Sequence, residues 1–136
     1  MDLKKFLISG ILAGIAIFIV SFIFDYLVGM FFPYDSFTLG GMRAMEDPMM
    51  MFFFLNPWVL GFSMSAVYHY VKDSFKGTTM QKGKSFGLLV WLVAGLPSAF
   101  IVYTSMNYPV RFTISSIFGS LLYMVAGAIV IAKFME

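Results

Sequence analysis

Phe6–Phe32, Met49–Val71, Ser85–Met106 and Val110–Phe134 are apolar stretches that between them take up most of the 136-residue chain. A helix rises about 1.5 Å per residue, so each stretch suffices to cross a hydrocarbon core of roughly 30 Å. In lipid the backbone must satisfy its own hydrogen bonds, and a helix does this within one segment. The expected fold is therefore an all-α integral membrane protein: four transmembrane helices in a single up-down-up-down bundle over residues 1–136, with an outer loop at 33–48 and an inner loop at 72–84.

Composition agrees with that solvent. Hydrophobic residues make up 60% of the chain and charged residues 12%, against about 25% charged in soluble domains. A soluble protein this small has too little interior for so much apolar surface. Met1-Asp-Leu-Lys-Lys before Phe6–Phe24 superficially resembles a secretory signal. The apolar run is too long and lacks an A-x-A-like cleavage site, so it reads as a retained first span.

Prolines and glycines punctuate the spans. Pro33 ends the first. Asp47-Pro48 reads as an N-cap followed by proline in the first turn of the second. A short interfacial helix is expected around Gly41–Glu46. Tyr68-His69-Tyr70 form an aromatic fringe where the second span leaves the bilayer. Lys72, Lys76, Lys82 and Lys84, with Gly77 and Gly83, suggest a solvated turn. Pro109 closes the last connection and opens span four.

Lysine and arginine placement sets the expected orientation. With the N-terminus inside, Lys4, Lys5, Lys72, Lys76, Lys82, Lys84 and Lys133 are cytoplasmic and only Arg43 and Arg111 lie outside. Seven against two is a positive-inside bias. Both termini are therefore expected in the cytoplasm, in a prokaryotic inner membrane. Asp35, Glu46 and Asp47 place acidic charge in the outer loop. The bias argues against a dual-topology dimer, and the two hairpins share one orientation, unlike the inverted repeats of many transporters.

Small residues four apart mark candidate helix contacts: Gly10 and Gly14 in span one, Gly61 and Ser65 in span two, and in span four Ser116 with Ser120 and Tyr123 with Gly127. Such faces let backbones approach closely, inside a bundle or at an oligomer seam. A second pattern concerns depth. Ser21, Asn56, Ser98, Ser115 and Ser116 all fall roughly 8–12 Å below the outer boundary when counted at the helical rise. Pro57 and Pro97 lie beside two of them and each remove a helical hydrogen bond. These groups form a candidate polar layer, lining either an outward-facing pocket or bonds to neighbouring backbones worth about 0.6 kcal/mol each.

Asp25 is the only acid within an expected span. It stands about 28 Å above Phe6, close to the outer interface. Arg111 is its expected ion-pair partner and Arg43 the second choice. His69 is the only histidine and reads as an interfacial residue near a helix C-terminus. Met42, Met45, Met49, Met50 and Met51 cluster on the outer side. Thioethers are soft metal ligands, but methionine is also a flexible apolar filler, and the second reading is preferred.

Several chemistries are excluded or lack support. With no cysteine there is no disulfide, thiolate metal site or thiol nucleophile. No phosphate-cradling glycine loop, H-E-x-x-H, G-x-S-x-G or intramembrane carboxylate pair is present. The loop lysines are too dispersed for a nucleic-acid surface and suit anionic lipid headgroups. No catalytic, cofactor or metal site is assigned.

The small-residue first span ending in aromatics (Gly14–Phe32), the lysine-containing loop, Ser85-Phe-Gly-Leu-Leu-Val-Trp91 and Ser115–Gly127 resemble small four-span membrane proteins found widely in prokaryotes. That group has no agreed activity, so the resemblance implies a fold and carries over no site residue. The first expectation for function is a non-catalytic membrane protein acting through helix contacts, as a homo-oligomer or an accessory subunit beside other membrane subunits. The alternative is a small-solute or ion binder or conduit that uses the polar layer, with Asp25 at its mouth.

Overall fold

A computed structural model describes residues 2–31 and 43–136. Helix α1 runs Leu3–Phe31, α2 Met50–Phe53, α3 Asn56–Val71, α4 Thr79–Val90, α5 Leu96–Ser105 and α6 Val110–Met135. A π-helical segment, Trp91–Gly95, joins α4 to α5 without a break, and a short 3-10 turn, Lys72–Ser74, follows α3. Among the described residues three helices are long and apolar enough to cross a membrane: Leu3–Phe31, Thr79–Ser105 and Val110–Met135.

Local chemistry explains the ends. The Asp2 carboxylate accepts from the Lys4 backbone N–H at 2.9 Å, satisfying one of the donors left over at the start of α1. Thr78 and Gln81 form a reciprocal capping box at the start of α4. That cap starts the third apolar helix at Thr79 rather than Ser85, so Lys82, Gly83 and Lys84 are helical and not part of a solvated loop. Pro109, extended at ψ 150, precedes α6 as expected.

The second apolar stretch is not one helix. The chain stays right-handed through Phe54 and Leu55, with ψ near −9 and −8, but the regular helix lapses there and resumes at Asn56. Pro57 sits in the first turn of α3, where a missing N–H costs nothing. Asp47 caps the turn ahead of α2, accepting from the Met49 N–H at 2.9 Å. The interfacial helix expected around Gly41–Glu46 is not formed in its described part, residues 43–46. Its remainder, the Pro33 stop, Met42 and most of the 33–48 loop lie outside the described residues.

Pro97 is accommodated differently. Wide turns precede it, and the Leu96 N–H reaches back five residues to the Trp91 carbonyl. A π turn inserts an extra residue into the helix, so the proline falls in the first turn of α5.

Packing places α1 between α3 and α6, and α6 between α1 and α4. Neighbours run antiparallel. A Cβ on Gly61 would stand 2.8 Å from the Gly10 carbonyl oxygen and 2.9 Å from the Gly14 nitrogen, so α1 and α3 touch backbone to backbone. The buried Ser9 hydroxyl donates to Ser65 at 3.1 Å one turn further along. Gly83 and Gly87 bring α4 against Ile129 and Val125 of α6, where an added Cβ would lie 2.6 Å from either Cα. Gly127 receives the Ile17 side chain and Gly119 the Phe24 ring. Where lipid offers no hydrophobic drive between helices, this close contact and its dispersion energy hold them together.

The packed core lies toward the lysine-bearing end of the bundle. Tyr68, Phe86, Ile131 and Ala132 are fully buried there, with Met64, Ala128 and Met135 beside them. Toward the opposite end the helices part.

Candidate functional site: two clefts at the open end

Among the described residues two clefts are found at the open end, one on each side of α6. The first, about 660 Å³, lies among α1, the α2–α3 junction and α6. Ser21 and Asp25 reach it from α1, Asn56 from the start of α3, and Ser115, Ser116 and Tyr123 from α6. Its apolar wall is largely aromatic and includes Phe18, Phe22, Phe24, Phe53 and Phe112. The second, about 590 Å³, lies between α5 and α6 and takes Ser98, Ser105, Thr113 and Ser116. Phe112, Ser116 and Tyr123 line both.

The lapse at Phe54-Leu55 borders the first cleft: it sets Asn56 at the start of α3, beside Pro57 on the cleft wall, with Phe53 and Phe54 lining it as well. The second cleft follows from the π turn. Trp91 donates its indole N–H to the Ile117 carbonyl at 3.0 Å, and Gly95 is buried against Trp91 and Ser120. Beyond this anchor α5 diverges from α6, and its face is largely exposed, as at Phe100 and Ile101.

Of the expected polar layer, Ser21, Asn56, Ser115 and Ser116 share one cleft and Ser98 lies on the other. Depth was counted along each helix, which gives height but not direction around the bundle. None of these five side chains makes a hydrogen bond to another described side chain or backbone group, and Thr113 Oγ1 in the second cleft is buried without a partner among the described residues. The first cleft therefore holds three serine hydroxyls and one amide not consumed by the fold, and the second holds the Ser98, Ser116 and Thr113 hydroxyls.

Asp25 lies on the first cleft without Arg111. The ion pairs among the described residues are Arg43–Asp47 at 3.0 Å and Lys82–Glu136 at 3.5 Å. Arg111 is exposed at the start of α6 and lines neither cleft. Residues 32–42 contain no lysine, arginine or histidine, so the sequence offers no basic partner from that segment.

Apart from Ser116, which lines both clefts, the candidate contact faces are used within the chain. Gly10, Gly14, Gly61 and Ser65 form the α1–α3 seam, Gly127 packs on α1, and Ser120 is buried near Trp91 and Gly95. The Gly83–Gly87 seam escaped sequence reading because its lysine neighbours suggested a loop, although Thr78-x-x-Gln81 carried the capping signature. His69 packs edge-on against Tyr70, and no group of three His, Asp or Glu side chains converges among the described residues. Met45, Met49 and Met51 are exposed while Met50 turns inward. No family model, no curated protein and no solved structure matches this chain.

Proposed function

We propose that the chain is a non-catalytic four-span protein of a prokaryotic cytoplasmic membrane, with both termini inside, and that it binds a small solute entering the first cleft from the outer side. Residues 50–71, taken as one interrupted span, cover about 33 Å at the helical rise, enough for the fourth crossing. The lysine bias orients the closed end toward the cytoplasm and the open end outward.

The observation that carries the reading is the single cleft holding Ser21, Asn56, Ser115 and Ser116 with no internal hydrogen-bond partners. Its volume falls within the range of small-molecule sites, roughly 300–1,000 Å³, and its few polar groups converge in an apolar surround. The competing role, contact with other membrane helices through the small-residue faces, is weakened because those faces, Ser116 apart, are buried within the chain.

Cysteine scanning tests it directly, because the chain has no native cysteine. Ser21→Cys and Ser116→Cys should react with a small membrane-impermeant thiosulfonate added outside, while Val93→Cys, on the exposed apolar surface of the third span, should not. Equal, negligible labelling at all three positions rules out a water-accessible cleft.

A further inference from the structure

The charge and surface of the first cleft narrow what it accepts. Among the described residues Asp25 is the one carboxylate lining it, and none of the ion pairs among those residues includes it. The nearest basic candidates are accounted for. Arg43 is engaged by Asp47 on its own segment, Arg111 does not line the cleft, and 32–42 supplies no basic residue. Every lysine belongs to the opposite end. A carboxylate beside apolar surface interacts with an opposite charge more strongly than it would in water, because the local dielectric is low.

The walls complement that charge. Phe18 and Phe22, one turn apart on α1, stack with ring centroids 6.5 Å apart, and Phe18 is backed by Trp58 of α3 at 5.8 Å, behind the wall. Phe24, Phe53 and Phe112 add further rings. Aromatic faces attract cations through their quadrupole and accommodate bulky apolar substituents without hydrogen bonds. An anion would meet Asp25 unscreened, and a polar neutral solute would leave most of the wall unmatched.

We propose that the first cleft selects hydrophobic organic monocations, with Asp25 as the counter-charge and the aromatic wall as the seat. This rests on the reading of the cleft as a solute site. Asn56 and the serines then serve as hydrogen-bond acceptors and donors for water or substituents around the cation. The second cleft has a similar size but no carboxylate, and it is not expected to discriminate by charge.

The test uses two probes of nearly the same shape and opposite charge, tetraphenylphosphonium and tetraphenylborate. Binding to the full chain in nanodiscs is measured by equilibrium dialysis, with empty nanodiscs subtracting partition into lipid. Wild type should bind the phosphonium saturably and at least tenfold more tightly than the borate. Asp25→Asn should remove that preference and Asp25→Glu should retain it, while Ser21→Phe and Asn56→Leu should weaken phosphonium binding. Helicity and elution volume must match wild type for each variant. If both ions bind alike and Asp25→Asn changes nothing, but Ser21→Phe and Asn56→Leu still weaken binding, the cation inference fails and the solute site stands. If no saturable binding is found, or neither cleft variant alters it, both fail.

Discussion

The Tyr68 hydroxyl donates a hydrogen bond of 2.5 Å to the Glu136 carboxylate, joining α3 to the end of α6 across 68 positions of sequence. Lys82 of α4 approaches the same carboxylate at 3.5 Å, so three helices meet at one acid at the closed end. Tyr68 is fully buried and its ring packs on Phe86 at 5.0 Å, which fixes where the hydroxyl points.

This acid makes the closed end sensitive to low pH. The Tyr68 hydrogen bond, and after it the Lys82 charge, hold the Glu136 carboxyl below its ordinary value of 4.5, with desolvation opposing them. A carboxyl whose folded value is depressed contributes its full stabilisation above the unfolded value and loses it as pH falls through the folded one. Thermal unfolding in detergent should therefore show wild type losing stability below about pH 5 more steeply than Glu136→Gln. Tyr68→Phe should flatten the same limb and cost about 1 kcal/mol at neutral pH, because the exposed carboxylate can turn to water. Parallel pH profiles for wild type and Glu136→Gln would remove Glu136 from the account.

Two glycine-to-alanine substitutions should act in opposite directions. At Gly61 the new methyl meets backbone atoms of Gly10 and Gly14 at 2.8 and 2.9 Å, and backbone does not yield cheaply. A loss of about 1–3 kcal/mol is expected from this overpacking. At Gly29, also helical, nothing lies within 4 Å of the added atom. There alanine should be neutral or stabilise by up to about 1 kcal/mol through helix propensity. Unfolding in mixed micelles compares the two, and similar losses at both sites would show that α1 and α3 do not touch backbone to backbone.

What the sequence made legible follows from which physical variable each signal encodes. Apolar length predicted α1 to within three residues and α6 to within one, because hydrocarbon thickness and helical rise are both fixed. Pro109 located the start of α6 for a local steric reason. Depth counting placed Ser21, Asn56, Ser115 and Ser116 at one level, and they do share a cleft, but it gave no azimuth, so Ser98 on the far side of α6 was grouped with them. The lapse at Phe54-Leu55 has no local breaker except a proline that suits a helix start equally well. The Tyr68–Glu136 bond depends on two residues 68 apart and no periodicity reports it.

The π segment should depend on the tryptophan that pins it. The Trp91 indole N–H reaches the Ile117 carbonyl, which also accepts from Ser120 Oγ at 3.0 Å. Trp91→Phe keeps an aromatic ring but removes the donor. The carbonyl remains satisfied by Ser120, so the global cost should stay near 0.5–1 kcal/mol. The local effect should be larger: amide exchange at 91–97 should accelerate relative to the rest of the Thr79–Ser105 helix. Uniform exchange along that helix in the variant would show that the π turn is held by Pro97 alone.

Solute entry from the outside, as proposed, depends on the orientation of the bundle. Charge placement puts Lys76, between α3 and α4, inside and Asn107, between α5 and α6, outside. Both positions are exposed and neither belongs to the packed core, so single-cysteine variants should fold as wild type does. In intact cells a bulky impermeant maleimide should modify Asn107→Cys and spare Lys76→Cys until the membrane is opened. The reverse pattern would turn the clefts toward the cytoplasm and with them the side from which a solute arrives. Comparable labelling of both in intact cells would mean that copies insert both ways, which the seven-to-two lysine and arginine bias argues against. Relocating charge sharpens the experiment: replacing Lys82 and Lys84 with Gln while adding two lysines beside Asn107 should erode the bias and raise Lys76→Cys labelling in intact cells. A topology indifferent to that exchange would be set by something other than the positive charges.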